Sequence, residues 1–426
     1  MTRLRRAVHT LLAAALLAAA GCAPPNEQEL RLWAMGREGE LVQRLLPEFE
    51  RAHPGVRVRV QQLPWSAAHE KLLTAFVGGS MPDVFQVGTT WIPELVALGA
   101  LAPLDAHLNA DDAADIFPGI LEASRVDGRL WAMPWYVDTR LLFYRADLLR
   151  AAGWAEPPQD WDGWRLALQG VRAAAGPGRY ALLLPLSEWQ PPVILAFQRG
   201  APLLRGADEW GDFQAPAFRQ AFMFYLSFFR DGLAPTRAEG QLANLYQDFA
   251  DGFFSALITG PWNLSEMAAR LPAGLQDAWA TAPMPGGSGG EPGLSIAGGA
   301  SLAVHADSPH QAAAWQLVEY LAAPQRQLEF YRLSGDLPAR RAAWTAGRLA
   351  DDPRVAAFWR QLGYVRTPPR VPEWERIATA INRAAEAAVR GDATPEAALA
   401  RLDSEVDAIL AKRRWLLARQ RAETGP

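Results

Sequence analysis

Residues 29–105 alternate between the two-residue periodicity of a strand and the 3.6-residue periodicity of a helix, and no other feature restricts the fold as much. Val56-Arg57-Val58-Arg59-Val60 alternates without a break, and the apolar runs at 30–34 and 84–87 are short enough for strands. The intervening segments 40–49, 66–77 and 91–98 carry apolar residues at helical spacing and stop at His53-Pro54-Gly55, Gly78-Gly79 and Gly99. Alternation at this spacing predicts βαβ units and a mostly parallel sheet. In an open α/β sheet, ligands sit beyond the carboxyl ends of the strands. Those ends fall at 35–37, 62–65 and 88–91, where Trp65, Thr89, Thr90 and Trp91 stand.

A second α/β region is expected from Leu141 onward. Strands are predicted at 141–144, 180–184, 253–259 and 300–305, and helices at 161–175, 215–229, 244–250, 311–321 and 324–331. Asp160 is the expected cap of the 161–175 helix. Gly286 to Gly290 reads as a surface loop, and 351–421 as helical almost throughout. There is no internal repeat.

The amino terminus is read as an export signal. Arg3, Arg5 and Arg6 precede ten unbroken apolar residues, too few to span a bilayer but suited to a signal peptide. The run ends in Ala19-Ala20-Gly21-Cys22, with the only cysteine of the chain in last place. These residues resemble a bacterial lipobox, which implies cleavage after residue 21, acylation of Cys22 and a short tether over 22–28. An ordinary cleaved signal with an incidental Cys22 is the other reading. A single cysteine allows no internal disulfide, so stability has to come from a large core. The formal charge of −4 becomes about −7 without the signal, and no basic cluster offers a footprint for nucleic acid.

Catalytic and metal signatures are missing. None of the six histidines falls in an HxxxH or HExxH pair, the GxSxG string at Gly286 to Gly290 falls in the expected surface loop and not at a nucleophile elbow, and that glycine-rich loop lacks the Lys-Ser/Thr ending of a phosphate loop. No metal and no cofactor is expected. Carboxylates are plentiful, but no local pattern nominates a glycosidase pair. Tryptophan is abundant instead, at 17 of 426 residues. Trp154, Trp279, Trp315, Trp359 and Trp415 lie within or beside helical apolar patterns and are assigned to the core. Trp65, Trp91, Trp135, Trp189, Trp262 and Trp374 stand at strand ends, helix starts or Gly/Pro turns. An indole stacks on the C–H face of a sugar ring while neighbouring polar groups bond its hydroxyls. A collective stacking role for these residues competes with core packing for each one.

Six motifs in order carry a specific resemblance. Met81 to Trp91 with Gly99 to Asp105, Leu130 to Arg140, Phe143-Tyr144-Arg145, Ile258 to Asn263, Gly298 to Val304 and Gly335 to Arg340 together resemble the extracellular sugar-binding proteins of ABC importers, the maltose-binding-protein-like family. The resemblance implies a two-lobed, type II periplasmic-binding-protein fold of class α/β, with a hinge and an interlobe cleft. Lobe 1 would comprise 29–136 and 296–345, and lobe 2 would comprise 137–295 and 346–426. It also implies a monomer that captures a disaccharide or oligosaccharide without catalysis and delivers it to the transmembrane permease subunits.

Many relatives hold an acidic residue at the position of Gly88, which shifts the expected contacts to Thr89, Thr90 and Trp91. Tyr136 and Asp138 match the cleft-facing crossing segment beside Trp135. Trp262 and Asn263 match a pair at a helix start, Gly299 and Ser301 the return crossing, and Arg340 a cleft edge. Trp65 and Trp189 complete the expected ligand-binding set. An ion pair with Arg140 is the alternative for Asp138, and a salt bridge the alternative for Arg340. A glycerol-phosphate ester gathered by Arg37, Arg140 and Arg340, a peptide, or a secreted glycoside-active enzyme are the competing functions.

Overall fold

The computed structural model describes residues 28–236, 244–286 and 290–424. The signal segment, Cys22, the tether up to residue 27 and the centre of the glycine-rich loop lie outside the described residues. Eight strands build the two main sheets: β1 (Gln28–Met35), β2 (Val56–Leu63), β3 (Val84–Gly88), β4 (Met133–Val137), β5 (Leu141–Arg145), β6 (Ala256–Thr259), β7 (Trp279–Ala282) and β8 (Gly299–Val304). The first sheet has the order β2-β1-β3-β8-β4, and the second β6-β5-β7.

The expected parallel pairing holds only where βαβ units run. β1 pairs parallel with β2 and β3, while β8 is antiparallel to both β3 and β4. In the second sheet β5 is antiparallel to both neighbours. The sheets are therefore mixed, because β8 returns to the first sheet from the far one and enters it in the opposite direction. The predicted strand at 180–184 reduces to isolated bridges at Tyr180 and Leu183. The helix expected at 40–49 is broken into Glu38–Leu41, a 3-10 turn at Val42–Arg44, and Leu46–Ala52. Pro47 has no N–H to continue the ladder, so the chain restarts there.

Strand alternation divides the core. Leu30, Leu32 and Ala34 of β1 pack on one side of the first sheet, and Trp33 and Met35 on the other against Leu72 and Leu95. The principal helices are α1 (Trp65–Val77), α2 (Trp161–Ala175), α3 (Pro216–Arg230), α4 (Trp262–Arg270), α5 (Gln311–Ala322), α6 (Pro324–Ser334), α7 (Pro353–Gln361), α8 (Trp374–Arg390), α9 (Pro395–Ile409) and α10 (Ala411–Thr424). Asp160 caps α2 by accepting from the Gly163 N–H, as its sequence suggests. Helices α2, α3, α8 and α9 bury Trp164, Phe222, Tyr225, Ile377 and Leu402 beside the second sheet. Two tryptophans assigned to the core are not there: Trp359 is 38% exposed, and Trp415 on α10 is 59% exposed.

Two crossing segments lie side by side between the sheets. The Asp138 N–H donates to Gly298 O (2.9 Å), Thr139 Oγ1 to Ile296 O (2.9 Å) and Ser295 Oγ to Arg140 O (2.6 Å). A Cβ on Gly298 would stand 2.4 Å from Asp138 O, and one on Gly299 2.4 Å from Tyr136 O. Glycine is required at both positions by this close backbone approach. Ser295–Ile296 also pairs in parallel with Val365–Arg366, which adds a third strand to the junction.

Candidate functional site: an aromatic and acidic cleft

A cleft of about 640 Å³ opens between the two sheets at this junction. That volume suits a small organic ligand rather than an ion or a polymer chain. The ends of β1, β3 and β4 supply one wall through Glu38, Thr89, Thr90, Trp91 and Tyr136, joined by Trp65 from the start of α1. Trp189, Tyr246 and Trp262 supply the opposite wall, and the crossing segments bring Asp138 and Gly299 to the junction between them.

Each aromatic is held by its neighbours. Trp65 and Trp91 meet edge to face with centroids 5.7 Å apart, and Trp189 is braced the same way by Trp374 at 5.2 Å. The Arg140 guanidinium lies over the Trp262 ring at 4.6 Å. A Cβ at Gly88 would press on the Trp91 indole at 3.3 Å. The glycine that removes an acidic side chain from this wall thereby makes room for an indole.

The polar groups form a chain. Gln86 accepts from the Met35 N–H (2.8 Å), and its Nε2 donates to Tyr136 Oη (2.7 Å). Tyr136 Oη donates in turn to Glu38 Oε1 (2.9 Å), which also accepts from Trp65 Nε1 at 3.4 Å. Asp138 Oδ1 lies 3.4 Å from Arg140 Nε, and Glu188 Oε2 lies 3.2 Å from Arg140 Nη1. Asp336 follows Gly335 on the first-sheet side, 6% exposed.

Three carboxyl groups thus converge on one cleft, and their ionisation is perturbed. Burial raises Glu38 against the opposing hydrogen bonds from Tyr136 and Trp65. Desolvation also raises Asp138, which Arg140 partly offsets, although 34% of its side chain is still reached through the cleft. Asp336 is pushed up to about 7, first by burial and then by the negative charge of Glu38. Near neutrality Asp336 is both a donor and an acceptor.

A folded-state value above the unfolded one means that the stability contribution is complete below about pH 4 and is lost as pH rises towards about 7. Asp336→Asn is accordingly expected to raise the melting temperature of the ligand-free protein by about 3 °C near pH 8. It should change it by less than about 1 °C near pH 4. Thermal melts at the two pH values check this; an equal shift at both contradicts the assignment.

Of the expected ligand-binding set, Trp65, Thr89, Thr90, Trp91, Tyr136, Asp138, Trp189, Trp262 and Gly299 line the cleft, and Trp374, the remaining stacking candidate, is 1% exposed behind Trp189. Four others of that set do not. Trp135 is 1% exposed and stacked on Phe330 at 4.4 Å, because alternation along β4 turns it away from the side that Tyr136 presents. Asn263 is buried behind the wall, donating to Thr259 Oγ1 (2.7 Å) and accepting from Tyr246 Oη (2.9 Å). Ser301 lies inside β8, 3.0 Å from the Ser124 hydroxyl. Arg340 is ion-paired with Asp112 and Asp115, the latter through Nε at 2.7 Å. Removing one partner of such a half-buried pair costs stability rather than ligand contact.

Glu38, Asp336 and Tyr246 are cleft residues that the sequence reading passed over. Asp336 stood inside a recognised motif, directly after Gly335, where an acid next to apolar Leu337 was a usable signal. Glu38 looked like an ordinary helix-start carboxylate, and Tyr246 had no distinguishing context.

The comparisons with known proteins agree with this geometry. Residues 35–328 match the family model described as bacterial extracellular solute-binding protein. The solved sugar-binding protein MalE from the phytopathogen Xanthomonas citri is 44% identical, with a TM-score of 0.87 over 92% of this chain and 99% of that one. An uncharacterised lipoprotein of Streptomyces antibioticus is 28% identical over 76% of this chain and 74% of its own length. The diacetylchitobiose-binding protein DasA of Streptomyces coelicolor is 26% identical over 70% of this chain and 69% of its own. The ordered motifs, the mixed-sheet architecture and these matches lead to one statement: the chain belongs to the bacterial extracellular solute-binding protein family, with a fold like that of the sugar-binding protein MalE.

Proposed function

We propose that this protein captures a neutral disaccharide or oligosaccharide for an ABC importer and hands it over unchanged to the permease. One observation carries the reading: a single cleft in which indoles stand beside hydrogen-bonding carboxyl groups, the two surfaces that a sugar ring presents in reverse. The named ligands of the relatives, a sugar for MalE and diacetylchitobiose for DasA, belong to the same chemistry. The two sheets with their helices act as lobes that close over the sugar around the crossing segments.

A phosphate ester is disfavoured. Arg340 is committed to Asp112 and Asp115, Arg140 stands between Asp138 and Glu188, and Arg37 at the rim faces Glu266 at 3.4 Å. Arg270, which also lines the cleft, pairs with Glu266 at 2.6 Å, and Glu38, Asp138 and Asp336 are the carboxyl groups that face the interior. Export and acylation at Cys22 complete the proposal, and the naming of one relative as a lipoprotein supports it.

Calorimetric titration with maltose, maltotriose and diacetylchitobiose, followed by product analysis after long incubation, tests the reading. Stoichiometric binding of an intact saccharide is expected. Released reducing ends, or no binding of any neutral saccharide in a wider panel, would overturn it.

A further inference from the structure

Arg140 stands where the crossing segment enters β5 and is 7% exposed. Three separate stretches of chain meet at its guanidinium. Nε lies 3.4 Å from Asp138 Oδ1 on the crossing segment. Nη1 lies 3.2 Å from Glu188 Oε2, just ahead of the helix Gln190–Gln198. The flat face lies 4.6 Å from the ring centroid of Trp262, the first residue of α4. The backbone at the same residue is fixed as well, since Arg140 O accepts from Ser295 Oγ on the returning segment.

Only a guanidinium meets this set of demands. Its edge meets two carboxylates, Glu188 through a hydrogen bond and Asp138 through an ion pair alone, and its plane covers an aromatic ring at the same time. A lysine ammonium would supply the charge but not the plane. We propose that Arg140 is the positioning residue of the cleft, holding Asp138 and Trp262 as one unit so that hydroxyl acceptor and stacking ring are presented to a sugar in fixed register. The inference rests on the sugar-binding reading and deepens it.

Among the described residues, the charged and titratable groups around this unit include Asp138 and Glu188, which face Arg140, and Asp336, just beyond the end of α6, and Tyr136 of β4, which face Asp138. Burial pushes Asp138 upward and Arg140 opposes that push. Loss of the cation therefore affects the acceptor and the ring together, although they lie on different elements.

The test uses the mature chain with R140K, R140M and the pair D138N and D138N/R140M. In ligand-free protein, the side-chain carboxyl ¹³C shift of Asp138 is followed against pH. R140M is expected to raise the Asp138 midpoint by about one pH unit or more, and R140K to restore most of that shift. Maltose affinity should fall about tenfold or more in R140M and recover only partly in R140K, because lysine returns the charge without the plane. On the D138N background, R140M should cost clearly less than on the wild-type background, since the Asp138 share of the effect is already gone while the Trp262 share remains. An unchanged Asp138 midpoint in R140M, or an R140K protein that binds like wild type, overturns the proposal. Should the wild type bind neither maltose nor any other saccharide, the sugar reading fails, while the Asp138 midpoint still decides the role of Arg140.

Discussion

Trp262→Ala is expected to weaken saccharide binding by about 1–3 kcal/mol, roughly fivefold to 150-fold, with little change in melting temperature. The ring is half-buried on the cleft wall at the first turn of α4, where an indole supplies a flat apolar face to a sugar. Its truncation removes that face and uncovers Arg140, which the ring now shields. Trp262→Phe keeps an aromatic face and should recover part of the loss. Calorimetric titration of the three proteins with one saccharide checks the order wild type, Phe, Ala. Equal affinities would show that the ligand does not touch this wall.

Trp135→Ala should do the reverse. This side chain is 1% exposed and packed on Phe330 of α6, so its removal leaves a cavity in the first sheet's core. A loss of about 3–5 kcal/mol in unfolding free energy is expected, the usual cost of deleting a buried aromatic. Once folded, the variant should bind saccharide within about threefold of wild type. Chemical denaturation and titration of the same sample separate the two effects. A variant that is as stable as wild type but does not bind would place Trp135 on the cleft after all.

The contrast between these two tryptophans marks where sequence reasoning stops. Both sit in the motif-rich stretches that carry the family resemblance. The resemblance marks Leu130 to Arg140 as a crossing segment, but alternation along β4 says only that Trp135 and Tyr136 face opposite sides, not which side is the cleft. That choice is made by α6, whose Phe330 lies almost two hundred residues later in the chain. Local patterns did locate Trp65 and Trp91, because they follow β2 and β3 directly and strand ends define the binding edge.

A salt bridge was a stated alternative for Arg340, but its partners were illegible for the same reason as α6. Arg340 finds Asp112 and Asp115 from a segment far along the chain, and nothing near Gly335 to Arg340 announces them. The mixed pairing of both sheets was hidden too. Strand periodicity is identical in parallel and antiparallel ladders, so the direction of β8 follows only from the path by which it returns. Glu38 was missed because a carboxylate becomes informative only when burial crowds it against another, whereas the acid between Gly335 and Leu337 was there to be read.

The central claim is that the cleft recognises neutral sugar hydroxyls through carboxyl groups and indoles. It is tested most directly by comparing one disaccharide with the same disaccharide carrying a phosphate, each titrated into the protein near neutral pH. Glu38, Asp138 and the ionised fraction of Asp336 predict that the phosphate form binds at least about 100-fold more weakly, because like charges would be brought together in a desolvated site whose guanidinium groups already face carboxylates. A phosphate form that binds as tightly as the neutral sugar, or more tightly, would contradict the account.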